Sequence, residues 1–255
     1  MENTLLAQGE RLDEIGFGNL KLIQKPEEFC YGVDAVILAD FASRSVEKSK
    51  GKFKKAIDLG TGTGIIPLIL SHKTSIKQIY AVEIQKDSFG RTCRNVELNK
   101  LTEVISVIND DVSNIEKKDT FLKGSFDLVT SNPPYMTGGC GITNDNNAKT
   151  IARHETTADL ETFIKASAAL LREKGELFMV HRPSRLVDIC EACRKYKVEP
   201  KELRFVSPNK NSKPNILLIR CVKSGRPELK MLDPLYVYDE IKGHYTDEIM
   251  KIYEK

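Results

Sequence analysis

No apolar run in this chain approaches the ~20 residues that a membrane-spanning helix needs. The hydrophobic stretches are short and broken by charge. The first residues carry charge through Glu14 and lack the apolar centre of a secretory signal. A cytoplasmic protein with no membrane partner is the expectation. Cysteine is sparse: six residues are scattered at positions 30, 93, 140, 190, 193 and 221. Cys190 and Cys193 are spaced as Cys-x-x-Cys inside a helical pattern, but a structural zinc site would need a second such pair. Reduced, mostly buried thiols and no metal are therefore expected. Repeats and low-complexity tracts are missing too. So is a strong excess of one charge, because the formal net charge is only +3. That excludes a histone-like binder and shifts attention to where the cations lie. They group at Lys48, Lys50, Lys52, Lys54 and Lys55, at Arg182 and Arg185, at Arg194, Lys195, Lys197, Lys201 and Arg204, and at Lys210 and Lys213. One such group is usually a solvated face. Several together favour a polyanionic partner.

What is present is a chain of 255 residues with 40% hydrophobic content, enough for a sizeable core. From about 55 to 222, short apolar runs alternate with amphipathic stretches, the pattern of an α/β sheet with crossover helices. Strands are expected at 55–59, 78–83, 104–109, 126–131, 175–181, 202–207 and 215–222. Helices are expected near 64–72, 86–99, 159–172 and 184–195, with Ser184 as an N-cap and Gly175 ending the stretch before the fifth strand. The last two strands are separated only by the polar turn from Pro208 to Pro214, which predicts an antiparallel hairpin. Before this repeat, residues 18–24 read as a strand and residues 34–42 as a helix packed on the sheet. The tail from Gly225 is irregular, and its Tyr236, Tyr238, Tyr245 and Tyr253 are expected to anchor it to the body rather than to stack on RNA bases.

The segment from Ala56 to Leu68 reads as strand, glycine turn and helix start. It is not the dinucleotide fingerprint Gly-x-Gly-x-x-Gly, because Ile65 stands where the third glycine would be. Asp58 before the glycines would repel a pyrophosphate. It suits a cationic ligand such as the amino group or sulfonium of S-adenosylmethionine, with Gly60, Thr61, Gly62 and Gly64 forming the loop around it. Glu83 ends the next apolar run, about twenty residues on, where an acid commonly holds ribose hydroxyls. Asp111 and Val112 follow the third run and suit the edge and face of an adenine. Asp110 is an equal candidate for the acidic role, and either residue is also a natural turn cap.

The run from Phe126 to Ser131 ends in Asn132-Pro133-Pro134-Tyr135. Two prolines remove backbone donors and fix φ, so the loop is stiff. The Asn132 side-chain oxygen and the Pro133 carbonyl are left to accept both hydrogens of a planar amino group, and Tyr135 offers a flat face for stacking. An ordinary proline turn is the plain alternative for the tetrapeptide alone. The polar, glycine-bearing stretch 136–157 that follows reads as a substrate lid.

With both motifs placed, the chain resembles the class I S-adenosylmethionine-dependent methyltransferases of the N6-adenine type, and among them the tRNA1(Val) adenine N6-methyltransferase family. The resemblance is carried by residues 31–41, Asp58 to Gly64, Ser131 to Tyr135, 152–155, 181–186, 203–206 and 234–238. It implies a Rossmann-like, seven-stranded, mostly parallel sheet with helices on both faces and one antiparallel strand. The implied organisation is an N-terminal extension over 1–50, a methyltransferase domain over 51–224 and a tail over 225–255 packed on the core. The implied reaction is methylation of the exocyclic N6 of an adenosine just 3′ of the anticodon of a valine tRNA, leaving S-adenosylhomocysteine. Asn132, Pro133, Pro134 and Tyr135 would be catalytic, with Asn132 also beside the cofactor. Tyr135 would stack on a splayed base, and Arg153, His154, Arg182 and Arg185 would contact RNA. His181 is either a base, an RNA contact or a packed strand-end histidine. Asp34 either lies by the cofactor or caps its helix. The oligomeric state stays open, with a monomer favoured.

Three rivals share parts of this pattern. A release-factor glutamine methyltransferase uses the same tetrapeptide on another planar amide, but would carry a larger helical N-terminal domain. An adenine methyltransferase acting on ribosomal RNA or DNA would share the chemistry. A non-catalytic RNA-binding module would have no need of both motifs.

Overall fold

The computed structural model describes residues 6–28, 30–115, 123–134, 160–240 and 243–255. Its centre is a sheet in which β3 (Lys55–Leu59), β4 (Gln78–Glu83), β5 (Ile105–Asn109), β6 (Phe126–Ser131) and β7 (Leu171–His181) run parallel. β8 (Val198–Ser207) and β9 (Ile216–Lys223) complete it, and β9 is inserted antiparallel between β7 and β8. The strand order β8-β9-β7-β6-β3-β4-β5 reverses between β3 and β6. Open α/β sheets bind ligands at such a reversal, beyond the carboxyl ends of the strands. The mostly parallel sheet with one antiparallel strand is as the sequence predicts. Beyond it, two-residue strands β10 (Lys230–Met231) and β11 (Leu235–Tyr236) pair with β8, and β1 (Arg11–Glu14) forms a separate hairpin with β2 (Lys21–Gln24).

Strand alternation divides the core. Ile57, Leu59, Val129, Leu177 and Met179 point to one face, with α4 (Leu160–Leu170) and α5 (Leu186–Lys195). Ala56, Leu128, Phe178 and Val180 point to the other, with α1 (Val33–Lys48) and α2 (Ile65–Lys73). Near-continuous apolar runs in β3, β6 and β7 follow from burial on both faces. α3 (Lys86–Leu98) lies against β4, β5 and β2. A short helix, α6 (Asp247–Ile252), closes the tail on α1. The tail tyrosines do anchor: Tyr238 stacks on Tyr245, Tyr245 on Tyr253, and Tyr253 on Phe17. Among the described residues no helix is long and apolar enough to cross a membrane.

Two local expectations need correction. Ser184 does not cap the helix after β7. A 3-10 turn, Pro183–Arg185, comes first, and α5 starts at Leu186 with no side-chain cap. Proline at the start of that turn lacks an N–H that would have had no partner anyway. Gly175 lies inside β7, because α4 already stops at Leu170.

The opposite edge of the sheet is secured by Asp127. Its Oδ2 accepts the Lys54 and Lys55 N–H groups at 2.7 and 2.9 Å, and its Oδ1 accepts from Arg172 Nε. Burial pushes the Asp127 pKa up, but these donors outweigh it and hold the carboxyl below its ordinary value. Asp127→Ala strands the backbone donors and is expected to cost about 2–3 kcal/mol, roughly 4–12 °C in Tm. Cofactor affinity should be unchanged, since the ligand edge is at the other end of these strands. Thermal unfolding and calorimetry check both halves.

Candidate active site

The glycine loop turns where β3 leaves the sheet. Gly60 and Thr61 N–H groups donate to Val82 O at 3.0 and 2.9 Å, and Gly64 N–H donates to Thr61 O at 3.0 Å. Gly62 and Gly64 have φ of +58° and +82°, the left-handed region that favours glycine. α2 follows at once, and Pro67 falls in its first turn, where proline is tolerated. The loop is braced from behind by α3. Thr92 Oγ1 donates to Gly62 O at 2.6 Å, and the fully buried Asn95 donates through Nδ2 to Thr63 O at 2.9 Å. Asn95 Oδ1 also accepts the Ile23 N–H at 2.6 Å, so one side chain joins the loop to the N-terminal hairpin. Sequence reasoning missed both braces, because polar residues on an amphipathic helix look like its solvent face.

Asp58 lies on β3 opposite Thr130 of β6, at the point where the strand order reverses. Its Oδ1 accepts the Thr130 hydroxyl at 2.6 Å, while its buried Oδ2 and the buried Thr61 Oγ1 meet no hydrogen-bond partner of good geometry among the described residues. Buried polar atoms without partners are rare and call for a ligand or ordered water. Burial pushes the Asp58 pKa up to about 6; the Thr130 hydroxyl and then the neighbouring Thr61 hydroxyl oppose this, and the Glu83 charge adds to it. Glu83, at the end of β4, is also raised by burial. Its Oε2 accepts the Gly62 N–H at 2.8 Å and its Oε1 accepts the Gln85 N–H at 2.9 Å, so it links the two strand ends.

Asp110 and Asp111 follow β5 at the same edge and serve the turn there. Asp110 Oδ1 accepts the Asp111 N–H and Asp111 Oδ1 accepts the Ser113 N–H, each at 2.8 Å. Val112 is buried, in the same core cluster as Val82 and Leu59. Turn capping therefore accounts for both acids without choosing between them as adenine contacts.

Asn132 leaves β6 at this edge, next to α1. Its Nδ2 donates to Asp34 Oδ2 at 3.3 Å, and Asp34 Oδ1 accepts the Ala35 N–H at 2.9 Å. Asp34 thus serves its helix and Asn132 together. A carboxylate can only accept, so it fixes the amide with nitrogen toward Asp34 and oxygen away. Pro133 is buried and Pro134 exposed. Tyr135, Arg153 and His154, and the lid expected over 136–157, lie outside the described residues.

Arg182 and Arg185 are at the end of β7, on the site's edge of the sheet. Arg185 is engaged with Asp188 at 2.5 Å. His181 is buried, and its Nδ1 accepts the Arg182 N–H at 2.8 Å. Burial and then the two arginine charges depress its pKa to about 4, so the ring is neutral near pH 7. This is a packed strand-end histidine. The group at 48–55 runs from the last residue of α1 to the first of β3, and Arg194 to Lys201 runs from the last turn of α5 into the start of β8, both at the far edge.

Glycine loop, unpartnered carboxylate oxygen and strand-end amide lie along one edge of the sheet. A family model for the methyltransferase small domain matches residues 39–189. The chain belongs to that family. Its membership makes the protein a methyltransferase and implies S-adenosylmethionine as methyl donor. The chain is 36% identical to the tRNA1(Val) (adenine(37)-N6)-methyltransferase of Tolumonas auensis over 128 residues, about half the length of each protein. It is 25% identical to the Porphyromonas gingivalis protein of the same name, over 88% of this chain and 86% of that one. Among solved structures it resembles a predicted O-methyltransferase from Agrobacterium tumefaciens, with a TM-score of 0.66 at 19% identity over 87% of this chain and 95% of that one. It also resembles M. jannaschii TYW2 in complex with AdoMet, with a TM-score of 0.57 at 13% identity over 85% and 86% of the two chains. These structural likenesses place the fold alone.

The site of this methyltransferase fits the donor it implies. An unpartnered buried carboxylate oxygen suits a cationic amino group, and the unpartnered Thr61 hydroxyl lies on the same loop. A Cβ built on Gly62 would meet no atom within 4 Å, so open space lies over the loop where a ligand can approach.

Proposed function

We propose that this methyltransferase acts on the exocyclic N6 of an adenine in RNA, adenine 37 of tRNA1(Val) being the substrate that names relatives spanning most of the chain. The observation that carries the chemistry is the Asn132 amide, held by Asp34 with its oxygen turned outward at the same strand edge as Asp58.

S-adenosylmethionine supplies a methyl group made electrophilic by a sulfonium. Asp58 Oδ2 and Thr61 Oγ1 would hold its polar end, Glu83 the ribose hydroxyls, and Asp111 with Val112 the adenine. Asn132 Oδ1 and the Pro133 carbonyl accept the two hydrogens of the target amine. That grip favours a pyramidal nitrogen whose lone pair points at the methyl carbon. The bound donor would supply the methyl group, its sulfur keeping the bonding pair of the S–C bond as the amine nitrogen takes the methyl. The amine proton becomes acidic only then and passes to solvent, so a strong base is not required. Tyr135 stacks on the target base. Arg153, His154, Arg182 and Arg185 contact the RNA.

Asp58 makes cofactor binding pH-dependent. A carboxyl whose folded pKa is raised stabilises the fold while protonated, and that contribution fades as pH rises through about 6. The cofactor-free protein should lose heat stability from about pH 4, the ordinary carboxylate range, to about pH 6, while affinity for the cationic ligand rises over the same interval. Asp58→Asn should flatten both trends. Thermal scans and calorimetry across pH test this, and an affinity as pH-independent as that of the variant would place the amino group elsewhere.

The deciding experiment is transfer of label from S-adenosylmethionine to total tRNA of a strain lacking this gene, followed by nucleoside analysis. Label in N6-methyladenosine of one valine tRNA is expected. Label only in added release factor would move the assignment to glutamine methylation.

A further inference from the structure

The catalytic edge carries a surface that methyl transfer itself does not use. β8 runs parallel to β7, so the turn between β8 and β9 emerges at the same edge as Asn132. Asn209 shapes that turn: its Oδ1 accepts the Asn211 N–H at 3.0 Å and the Ser212 hydroxyl at 2.9 Å. Lys210 and Lys213 are left exposed on the outside, with no hydrogen bond or ion pair to any described residue. Other basic side chains differ: Arg185, Arg194, Lys195 and Arg204 each face a carboxylate. Arg182 leans onto the turn, with Nη1 donating to Asn215 O at 3.4 Å.

The tail arrives at the same place. Past β11, the Tyr238 N–H donates to Pro208 O at 2.8 Å. The rings of Tyr238 and Tyr245 stack at 5.4 Å and 18°, and those of Tyr245 and Tyr253 at 5.6 Å and 11°. The stack is graded in burial, from Tyr253 at 7% exposure to Tyr238 at 38%. Anchoring of the tail explains the inner rings. It does not call for a large aromatic ring at the solvent end, beside two unpaired lysines.

The geometry points to Tyr238 and the Lys210–Lys213 turn as a docking surface for the single-stranded RNA that flanks the methylated adenine. The ring stacks on a base and the lysines take neighbouring phosphates. This rests on the reading of the substrate as RNA. Bases splayed from a loop are bound by stacking on aromatic rings with cations along the backbone, whatever their sequence. β8 is three strands from β6, so the strand ends are roughly 15 Å apart. That is too far for the target base and within reach of a few nucleotides on the same strand.

The test compares wild-type full-length protein with Lys210→Ala/Lys213→Ala, Tyr238→Leu and Tyr238→Phe. Binding to a valine tRNA transcript is measured by fluorescence anisotropy over a range of salt, together with methylation kinetics. The lysine double variant should weaken binding about tenfold at low salt and lower the slope of log Kd against log salt by about 1.4, the value for two phosphate contacts to a single strand. Tyr238→Leu should raise KM for tRNA roughly tenfold, the size of one lost base stack, with kcat and cofactor affinity unchanged. Tyr238→Phe should restore it. If wild type methylates tRNA and the variants bind and turn over as it does, the docking surface is overturned and the substrate reading stands. If wild type neither binds nor methylates tRNA, the substrate reading falls and the surface falls with it. Loss of release-factor binding in the lysine variant, with tRNA binding intact, would overturn the proposal in favour of a protein dock.

Discussion

Asn132→Ala is expected to lower the methyl-transfer rate by about 10²- to 10³-fold while leaving cofactor affinity near that of wild type. In the proposed mechanism the amide oxygen accepts an amine hydrogen, and that hydrogen bond strengthens as the nitrogen becomes pyramidal and gains positive charge. Its loss therefore falls on the transition state more than on the bound ground state. In the proposed mechanism, ground-state binding of the cofactor falls to other groups, among them Asp58, Thr61 and Glu83 at the ends of β3 and β4. The substitution is also mild for the fold, because Asn132 is half-buried and its one partner among the described residues is Asp34 at 3.3 Å. Single-turnover rates with saturating cofactor, beside calorimetric cofactor titration, separate the two effects. Joint loss of cofactor binding would show that Asn132 belongs to the cofactor pocket instead. Asp34→Asn extends the same experiment. An asparagine offers the Asn132 amide a donor as well as an acceptor, so the amide is no longer obliged to turn its oxygen outward. A smaller loss in kcat than for Asn132→Ala, with cofactor affinity retained, is expected. Equal rates in Asp34→Asn and wild type would remove Asp34 from the positioning of the amide.

The pairing of Asp34 with Asn132 shows where sequence reading ends. The two residues are 98 positions apart. Asp34 is visible in the sequence only as an acid near a helix start, a place acids occupy for local reasons. Its two candidate roles stayed balanced because nothing local distinguishes them, and in the structure one oxygen serves the helix while the other serves Asn132. Thr92 and Asn95 are hidden in the same way. Their contacts with the glycine loop exist only once α3 has packed beside β4. The parts that were legible have local causes. Buried parallel strands read as apolar runs, and the strand-end motifs at Asp58 and Asn132 carry backbone requirements in their own residues. The short strands β1, β10 and β11 have little periodic signal, and β10 and β11 form only because the rim of β8 offers unpaired backbone groups. The basic groups illustrate a further limit. Charge density is visible in the sequence, but the edge of the sheet it reaches depends on strand direction. Of the basic groups within the described residues, Arg182, Arg185 and the Lys210–Lys213 turn fall at the site's edge of the sheet.

Gly62→Val is expected to abolish measurable cofactor binding, a loss of at least about 10²-fold, in a protein that still folds. Two glycines of the same loop separate the causes. At Gly64 a Cβ would lie 2.7 Å from Thr92 Cγ2, so a side chain there collides with the brace from α3. Gly64→Val should therefore unfold the loop and lower Tm sharply, and its loss of binding would say nothing about the ligand. At Gly62 the built Cβ meets no protein atom within 4 Å, and the cost to the fold is that of a left-handed residue, about 1–2 kcal/mol. For a chain of this size that is roughly 2–8 °C in Tm. The valine methyls instead fill the open space over the loop. Calorimetry with S-adenosylmethionine and S-adenosylhomocysteine, together with a thermal melt, distinguishes the variants. A folded Gly62→Val protein that binds either ligand as tightly as wild type would show that the cofactor does not approach this loop. The contrast between the two positions is sharper than either alone, because strain and left-handed φ are common to both and only the occupant of the adjoining space differs.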